Sequence, residues 1–565
     1  MRAPALPSEA LLVPAGQHDW SGQRCLVVDD FIGVRQLLRE SLRSLGVKHI
    51  DLASNGAEAM TLLAKTPYQV VLCDYHLGEG KNGQQLLEEA RIRQLLLPSC
   101  LWLMVSAEKS VEAVMGAAEH QPDAYLLKPI TEGVLLTRLN RVWQKKQVFQ
   151  AIDQHVGAKD YLRAARLCDD QIERNKVHEI DLLRMKATLM LKSGEPELAR
   201  AAYERVLAQH DYAWASAGLA GICMAKGEFA QAQRIFERVI ASNRYYLDAY
   251  DQLASACLHL GQPEAACSVL ERAATLSPNS VPRQRRLGQV SLDLGKLGMA
   301  EKAFRKCIAI GAYSAMRSAD AHFGLARVCG RKNEIKEALL LLAAARRDFP
   351  EEQVELRAKI CEGMVYHESG DFRRARQCGD ELEAFLNAHA ARPDTSTCLD
   401  LAGLLFAVGV KQAPAELLCY LIRNNDDNGA LLAAAQKLFD QARMGEEGAA
   451  LIAAEKKRAA DLMNQGVLLW KTGQLPAALE WMRQARAALP DNQRILFNAA
   501  QILLSHMQQS GYDPALAAEA TQVLLHVDKI EPGQRRFAQL MEQLAQLAAR
   551  PEPGAAPPAE APAPA

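Results

Sequence analysis

Aromatic residues make up 6% of this 565-residue chain, and few segments beyond residue 130 are rich in Val, Ile and Thr. Both shortages count against an extended β protein and favour helices. No run of 18 or more apolar residues occurs, so no transmembrane span is expected. The first residues are broken by prolines and lack a strong basic stretch, which does not read as a signal peptide. The 13 cysteines include no C-x-x-C pair, so no zinc spacing exists. They read as small buried thiols, and the expected location is cytoplasmic. Charge is also balanced, with 66 Lys and Arg against 67 Asp and Glu. Without a basic excess, no nucleic-acid partner is expected. After residue 150 there is no Gly-rich phosphate loop, metal spacing or nucleophile elbow. No separate enzymatic output is therefore expected.

What is present begins with a hydrophobic content of 49%, ample for packed cores. From residue 24 to about 128, short apolar runs alternate with amphipathic stretches. The runs are 24–29, 49–53, 69–73, 101–105 and 124–127. The stretches between them, 31–46, 57–66, 83–97 and 110–120, have helical spacing, as does the chain from Thr131 onward. Continuously apolar strands are buried on both faces. The expected fold is an α/β doubly wound five-stranded parallel sheet, with right-handed crossovers.

Ligands in such sheets bind at the carboxyl ends of the strands. Here those ends carry Asp29 and Asp30, then Asp74, then Ser106, then Lys128. Three converging carboxylates repel one another, and one would have to take up a proton. A hard divalent cation such as Mg²⁺ removes that conflict. The hydroxyl and the ammonium remain to hold the oxygens of a phosphate.

In order, VVDD (27–30), LCDYHLGEGKNG (72–83), VSA (105–107) and YLLKP (125–129) stand at strand ends. Together they resemble the receiver domain of bacterial response regulators over about residues 23–145. The resemblance implies that Asp74 is the phosphoacceptor, loaded by a histidine kinase or a histidine phosphotransfer protein. It implies Mg²⁺, or another divalent cation, held by Asp29, Asp30, Asp74 and the backbone carbonyl of His76, with Asp30 the direct ligand of the acidic pair. Lys128 would pair with the phosphoryl oxygens, Ser106 would shift toward them, and Tyr125 would turn inward with it. Core packing is the alternative role for Tyr125. The Lys128–Pro129 bond would be cis, with Pro129 the cis-proline. One departure is the loop after Asp74, where Gly83 lies nine residues on and Gly78 replaces a common proline.

Beyond residue 150 a period near 34 residues takes over. Its turn positions are Gly194, Gly227, Gly261 and Gly295, spaced 33, 34 and 34 apart, then less regularly Asn333 and Gly370, with Gly473 restarting the series. Five residues after each turn stands a small residue, Ala199, Ala232, Ala266, Ala300, Ala338, Ala375 and Ala478. Nine after most of them stands a bulky one, such as Tyr203, Phe236, Leu270, Phe304, Leu342 and Met482. Seven before each is another small residue, from Ala187 through Gly288 to Gly466. The pattern resembles tetratricopeptide repeats, which imply an all-α solenoid whose concave face binds a protein or peptide. A half-unit around 160–165 begins the array, and 393–455 is expected to hold one or two degenerate hairpins.

The expected organisation is a flexible leader (1–22), the receiver (23–145), a helical repeat domain (146–548, degenerate at 393–455) and a disordered Pro/Ala tail (549–565). The receiver's last helix is expected to run on into the first repeat. Two functions fit. One is a two-component response regulator in which phosphorylation of Asp74 controls what the repeats bind, through the face around the fourth and fifth strands. The other is a constitutive repeat scaffold, with the receiver as docking module or phosphate sink.

Overall fold

The computed structural model describes residues 19–107, 122–174, 176–388, 392–531 and 534–548. The helix expected over 110–120, the leader up to residue 18 and the tail from 549 lie outside the described residues. By its internal contacts the chain forms two units, 1–328 and 329–565.

The first unit opens with five strands, β1 (Arg24–Val28), β2 (His49–Ala53), β3 (Val70–Asp74), β4 (Leu101–Ser106) and β5 (Ala124–Leu127). They form one parallel sheet in the order β2-β1-β3-β4-β5. Helices α1 (Ile32–Ser44), α2 (Gly56–Lys65) and α3 (Gly83–Ile92) connect the first strands. The apolar runs serve both faces, as their composition requires. Cys25, Val27, Val70, Leu72, Leu101 and Leu103 point to one face, under Leu38 and Leu42 of α1. Leu26, Val28, Val71, Cys73, Trp102 and Met104 point to the other, under Leu63 of α2 and Leu86 and Leu87 of α3.

The helix after β5, α4 (Glu132–Gly157), is 26 residues long. Its first half places Leu135, Leu139 and Trp143 on the sheet. Its second half places Phe149 and Ile152 among the residues of the next helix, Tyr161–Arg174. A boundary at 145 therefore falls inside one helix. Asp153 Oδ1 accepts from Ser99 N–H at 3.1 Å, and Lys146 Nζ donates to the Pro98 carbonyl at 2.8 Å. The leader's last residues are also not loose. Trp20 is 2% exposed and packs its indole against Trp143, ring centroids 5.0 Å apart, because the large apolar ring finds a half-open face of α4.

The helical repeats follow as antiparallel hairpins. In the first unit they include Glu179–Lys192 with Pro196–Leu207, Ala213–Ala225 with Phe229–Ser242, Leu247–His259 with Pro263–Leu276, and Val281–Asp293 with Leu297–Gly311. The seven turn residues all adopt left-handed backbone, φ from 64° at Asn333 to 84° at Gly370. That conformation is open to glycine and tolerated by asparagine, which is why these types mark the period. Ala199, Ala232, Ala266, Ala300, Ala338, Ala375 and Ala478 are all fully buried. In two of the units the small residue before the turn faces the bulky one after it, Gly288 against Phe304 and Gly466 against Met482. A Cβ on Gly288 would stand 2.7 Å from the Phe304 ring, and one on Gly324 would stand 2.2 Å from it.

The second unit contains two hairpins in the stretch of weak pattern, Thr395–Ala407 with Gln412–Asn424 and Gly429–Gln441 with Gly445–Lys471. Their turns are Gly409 at φ 88° and Arg443 at φ 57°. The regular pattern resumes with Leu475–Ala488. Among the described residues no helix is long and apolar enough to cross a membrane.

Phe304 is 1% exposed between two glycines that admit no side chain. Phe304→Ala should cost the first unit about 3–5 kcal/mol. Urea unfolding followed by helical signal checks this, and a loss below about 1 kcal/mol would contradict the packing described.

Candidate functional site

Asp29 directly follows β1, Asp74 closes β3, Ser106 closes β4 and Lys128 directly follows β5. The parallel register sets Asp74 beside Val105 and Ser106 beside Leu127. All four residues thus emerge at one edge, next to the β1/β3 point where the strand order reverses.

Lys128 Nζ donates to Asp29 Oδ2 at 2.8 Å and to Asp74 Oδ2 at 2.7 Å. Asp29 is fully buried and Asp74 is 7% exposed, whereas Asp30 is exposed. Ligand oxygens of Asp29, Asp30 and Asp74 all lie within 4.8 Å of one another. Phe31 N–H donates to Asp29 Oδ1 at 2.9 Å, and His76 N–H donates to Asp74 Oδ1 at 3.4 Å. Arg35 Nη1 donates to the Asp29 carbonyl at 2.6 Å, a backbone contact that no motif announced.

Burial pushes the Asp29 carboxyl above its ordinary range and the Asp74 charge adds to it, while Lys128 and the Phe31 N–H work the other way. At Lys128, burial works against the charge, but hydrogen bonds to Asp29 and Asp74 outweigh it and hold the ammonium above its usual range. Burial, followed by the Asp74 and Asp29 charges, raises the Cys73 thiol well above its ordinary value, so it is no nucleophile here. Three carboxylates against one ammonium leave negative charge in excess. An all-oxygen donor set of that charge fits a hard divalent cation.

Ser106 is fully buried, and its carbonyl accepts from Lys128 N–H at 2.8 Å. Tyr125 is half-buried on β5, packed beside the cluster that holds Met104 and Cys73. The His76 side chain is exposed, edge-on to Tyr75. The Lys128–Pro129 bond is cis. Gly78 adopts φ 69°, a conformation closed to proline, so the substitution noted in the loop goes with a different local backbone.

Sequence reasoning gave Gly83 no role beyond its spacing. Its N–H donates to the Tyr75 carbonyl at 2.8 Å, and a Cβ there would stand 2.0 Å from the Asp74 carbonyl. The first turn of α3 therefore rests directly on the backbone of Asp74. Asn82 caps that helix. Its side chain accepts from Gln85 N–H at 2.8 Å, while its own N–H donates to Gln85 Oε1 at 3.1 Å. The N-x-x-Q spacing is a readable capping box.

A family model for the response regulator receiver domain matches residues 25–140. Tetratricopeptide repeat models match residues 190–257, 247–290, 286–310 and 462–484. Chemotaxis protein CheY-3 of Vibrio cholerae is 31% identical over 124 residues, covering 22% of this chain and 92% of the relative. Chemotaxis protein CheY of Pseudomonas aeruginosa is 29% identical over 124 residues, covering 22% of this chain and 97% of its own length. Among solved structures, chemotaxis protein CheY4 of Vibrio cholerae, crystallized at low pH, is 25% identical with a TM-score of 0.20, covering 21% of this chain and 98% of that one. The chain belongs to the response regulator receiver family through residues 25–140, and this receiver is fused to tetratricopeptide repeats.

Gly83→Ala forces a methyl onto the Asp74 carbonyl. It should destabilise the receiver by about 1–3 kcal/mol. Hydrogen exchange of the β3 amides reads the change, and unaltered protection would contradict the close approach.

Proposed function

We propose that the chain is a two-component response regulator whose phosphorylation on Asp74 controls protein binding by its repeats. The supporting observation is the bridge from Lys128 to both Asp29 and Asp74, with Asp30 within 4.8 Å of the same carboxylates. A histidine kinase or histidine phosphotransfer protein is the donor. Asp74 Oδ attacks the phosphorus of the phosphohistidine. A P–O bond forms, the P–N bond breaks, and the leaving imidazole takes up a proton.

Asp29, Asp30, Asp74 and the His76 carbonyl are the groups that would hold Mg²⁺, which supplies charge neutralisation for the incoming phosphoryl oxygens. Lys128 stays charged in its carboxylate pair and offers its ammonium to a phosphoryl oxygen once Asp74 is phosphorylated. Ser106 and Tyr125 are the switch residues. The protein acts in the cytoplasm, and its output is a changed affinity for a protein or peptide rather than turnover of a metabolite. The buried small-and-bulky pairs of the repeats support that output, since they build a packed helical scaffold.

The test is intact mass after incubation with acetyl phosphate and Mg²⁺. Wild type should gain one phosphoryl group, Asp74→Asn should gain none, and Lys128→Ala should gain it at least ~10-fold more slowly. A wild type that stays unmodified, or an Asp74→Asn variant labelled equally, would overturn the assignment.

A further inference from the structure

The repeats break their own period at one place in the first unit. Gly194, Gly227, Gly261 and Gly295 are 33 or 34 residues apart, yet Asn333 follows after 38. The connections 208–212, 243–246 and 277–280 have four or five residues, whereas 312–319, between Gly311 and Asp320, has eight.

This lengthened connection reaches the receiver. Ser314 is buried, and its Oγ donates to Glu88 Oε2 of α3 at 2.7 Å. Met316 N–H donates to the same Oγ at 3.0 Å, which orients the hydroxyl. Gln85, three residues before Glu88 on the same helical face, donates from Nε2 to the Ile310 carbonyl at 2.9 Å. Ile310 lies in the last turn of Leu297–Gly311, where carbonyls lack a helical partner. A cavity of about 430 Å³ adjoins the contact, lined in part by Gln84, Gln85, Glu88, Tyr245, Asp248 and Arg283.

Gln85 is thus engaged at both ends of its amide. Oε1 closes the cap with Asn82, and Nε2 holds the repeats. Asn82 adjoins Gly83, which lies on the Asp74 carbonyl. The route from Asp74 to the repeats runs through one glycine, one cap and one amide. It leaves from α3.

We infer that the 312–319 connection is a docking element for α3, and that this contact opposes phosphorylation of Asp74. The inference rests on the reading of Asp74 as phosphoacceptor. A phosphoryl group adds an oxygen-rich anion beside the His76 N–H, and the 75–82 loop must re-form around it. Asn82 moves with that loop, and Gln85 then cannot keep both its cap and the Ile310 carbonyl. By linkage the effect is reciprocal, so losing the dock favours the phosphorylated form.

Beryllofluoride with Mg²⁺, a phosphoryl mimic, tests this on the full chain by calorimetric titration. Ser314→Ala and Glu88→Ala should each bind it roughly 5-fold more tightly than wild type. The double variant should gain no more than either alone, since both remove one contact. In wild type the mimic should speed hydrogen exchange across 310–319. Equal affinity in all variants, with exchange there unchanged, overturns the docking element and leaves the phosphoacceptor reading standing. A wild type that does not bind the mimic overturns both.

Discussion

An ammonium held between two buried carboxylates is the constraint on which the receiver's geometry turns. Lys128 reaches Asp29 at 2.8 Å and Asp74 at 2.7 Å, although it arrives from β5 and they leave β1 and β3. Such a bridge forms only if β3, β4 and β5 keep their register, and a slip of one residue would turn every side chain to the other face. The register is kept by apolar runs buried on both sides of the sheet. Removing Lys128 leaves two carboxylates facing each other in a place with little water, a strongly unfavourable state. The site therefore presents charges of both signs together at the strand ends.

From that bridge the structure extends along two bodies. One is α4, which covers the sheet with Leu135 and Leu139 and then packs Phe149 and Ile152 into the first hairpin. The other is α3, pinned by Gly83 to the Asp74 backbone. Neither behaves as a linker. Each buries side chains on the receiver and also meets the helical repeats. A change at the strand ends therefore has a packed path outward, the physical condition for a two-state element to carry it.

Much of this was legible in the sequence because it is periodic or abrupt. Polar residues that end wholly apolar runs named Asp29, Asp74, Ser106 and Lys128. Small residues recurring in phase named the hairpins, since Ala199, Ala232 and Ala266 have no room to be larger. Where the pattern thinned, the physical causes are specific. Pro414 stands five residues after the Gly409 turn in place of a small residue, although Ala402 and Leu418 around it keep the rule and are buried. Arg443 takes a left-handed turn without being glycine, and Gly445–Lys471 fuses the second helix of one hairpin with the first of the next. Trp20 could not be placed, because one indole carries no period. The bond from Gln85 to Ile310 spans 225 residues and leaves no trace in composition.

The central claim is that the cluster of Asp29, Asp30 and Asp74 binds a divalent cation on which Asp74's chemistry depends. Titration with Mn²⁺, followed by water-proton relaxation, measures it directly on the intact chain. One site should be found in wild type and should weaken at least ~10-fold in Asp30→Asn, the exposed member whose loss leaves the buried bridge intact. A wild type without a site, or a variant with undiminished affinity, would contradict the account.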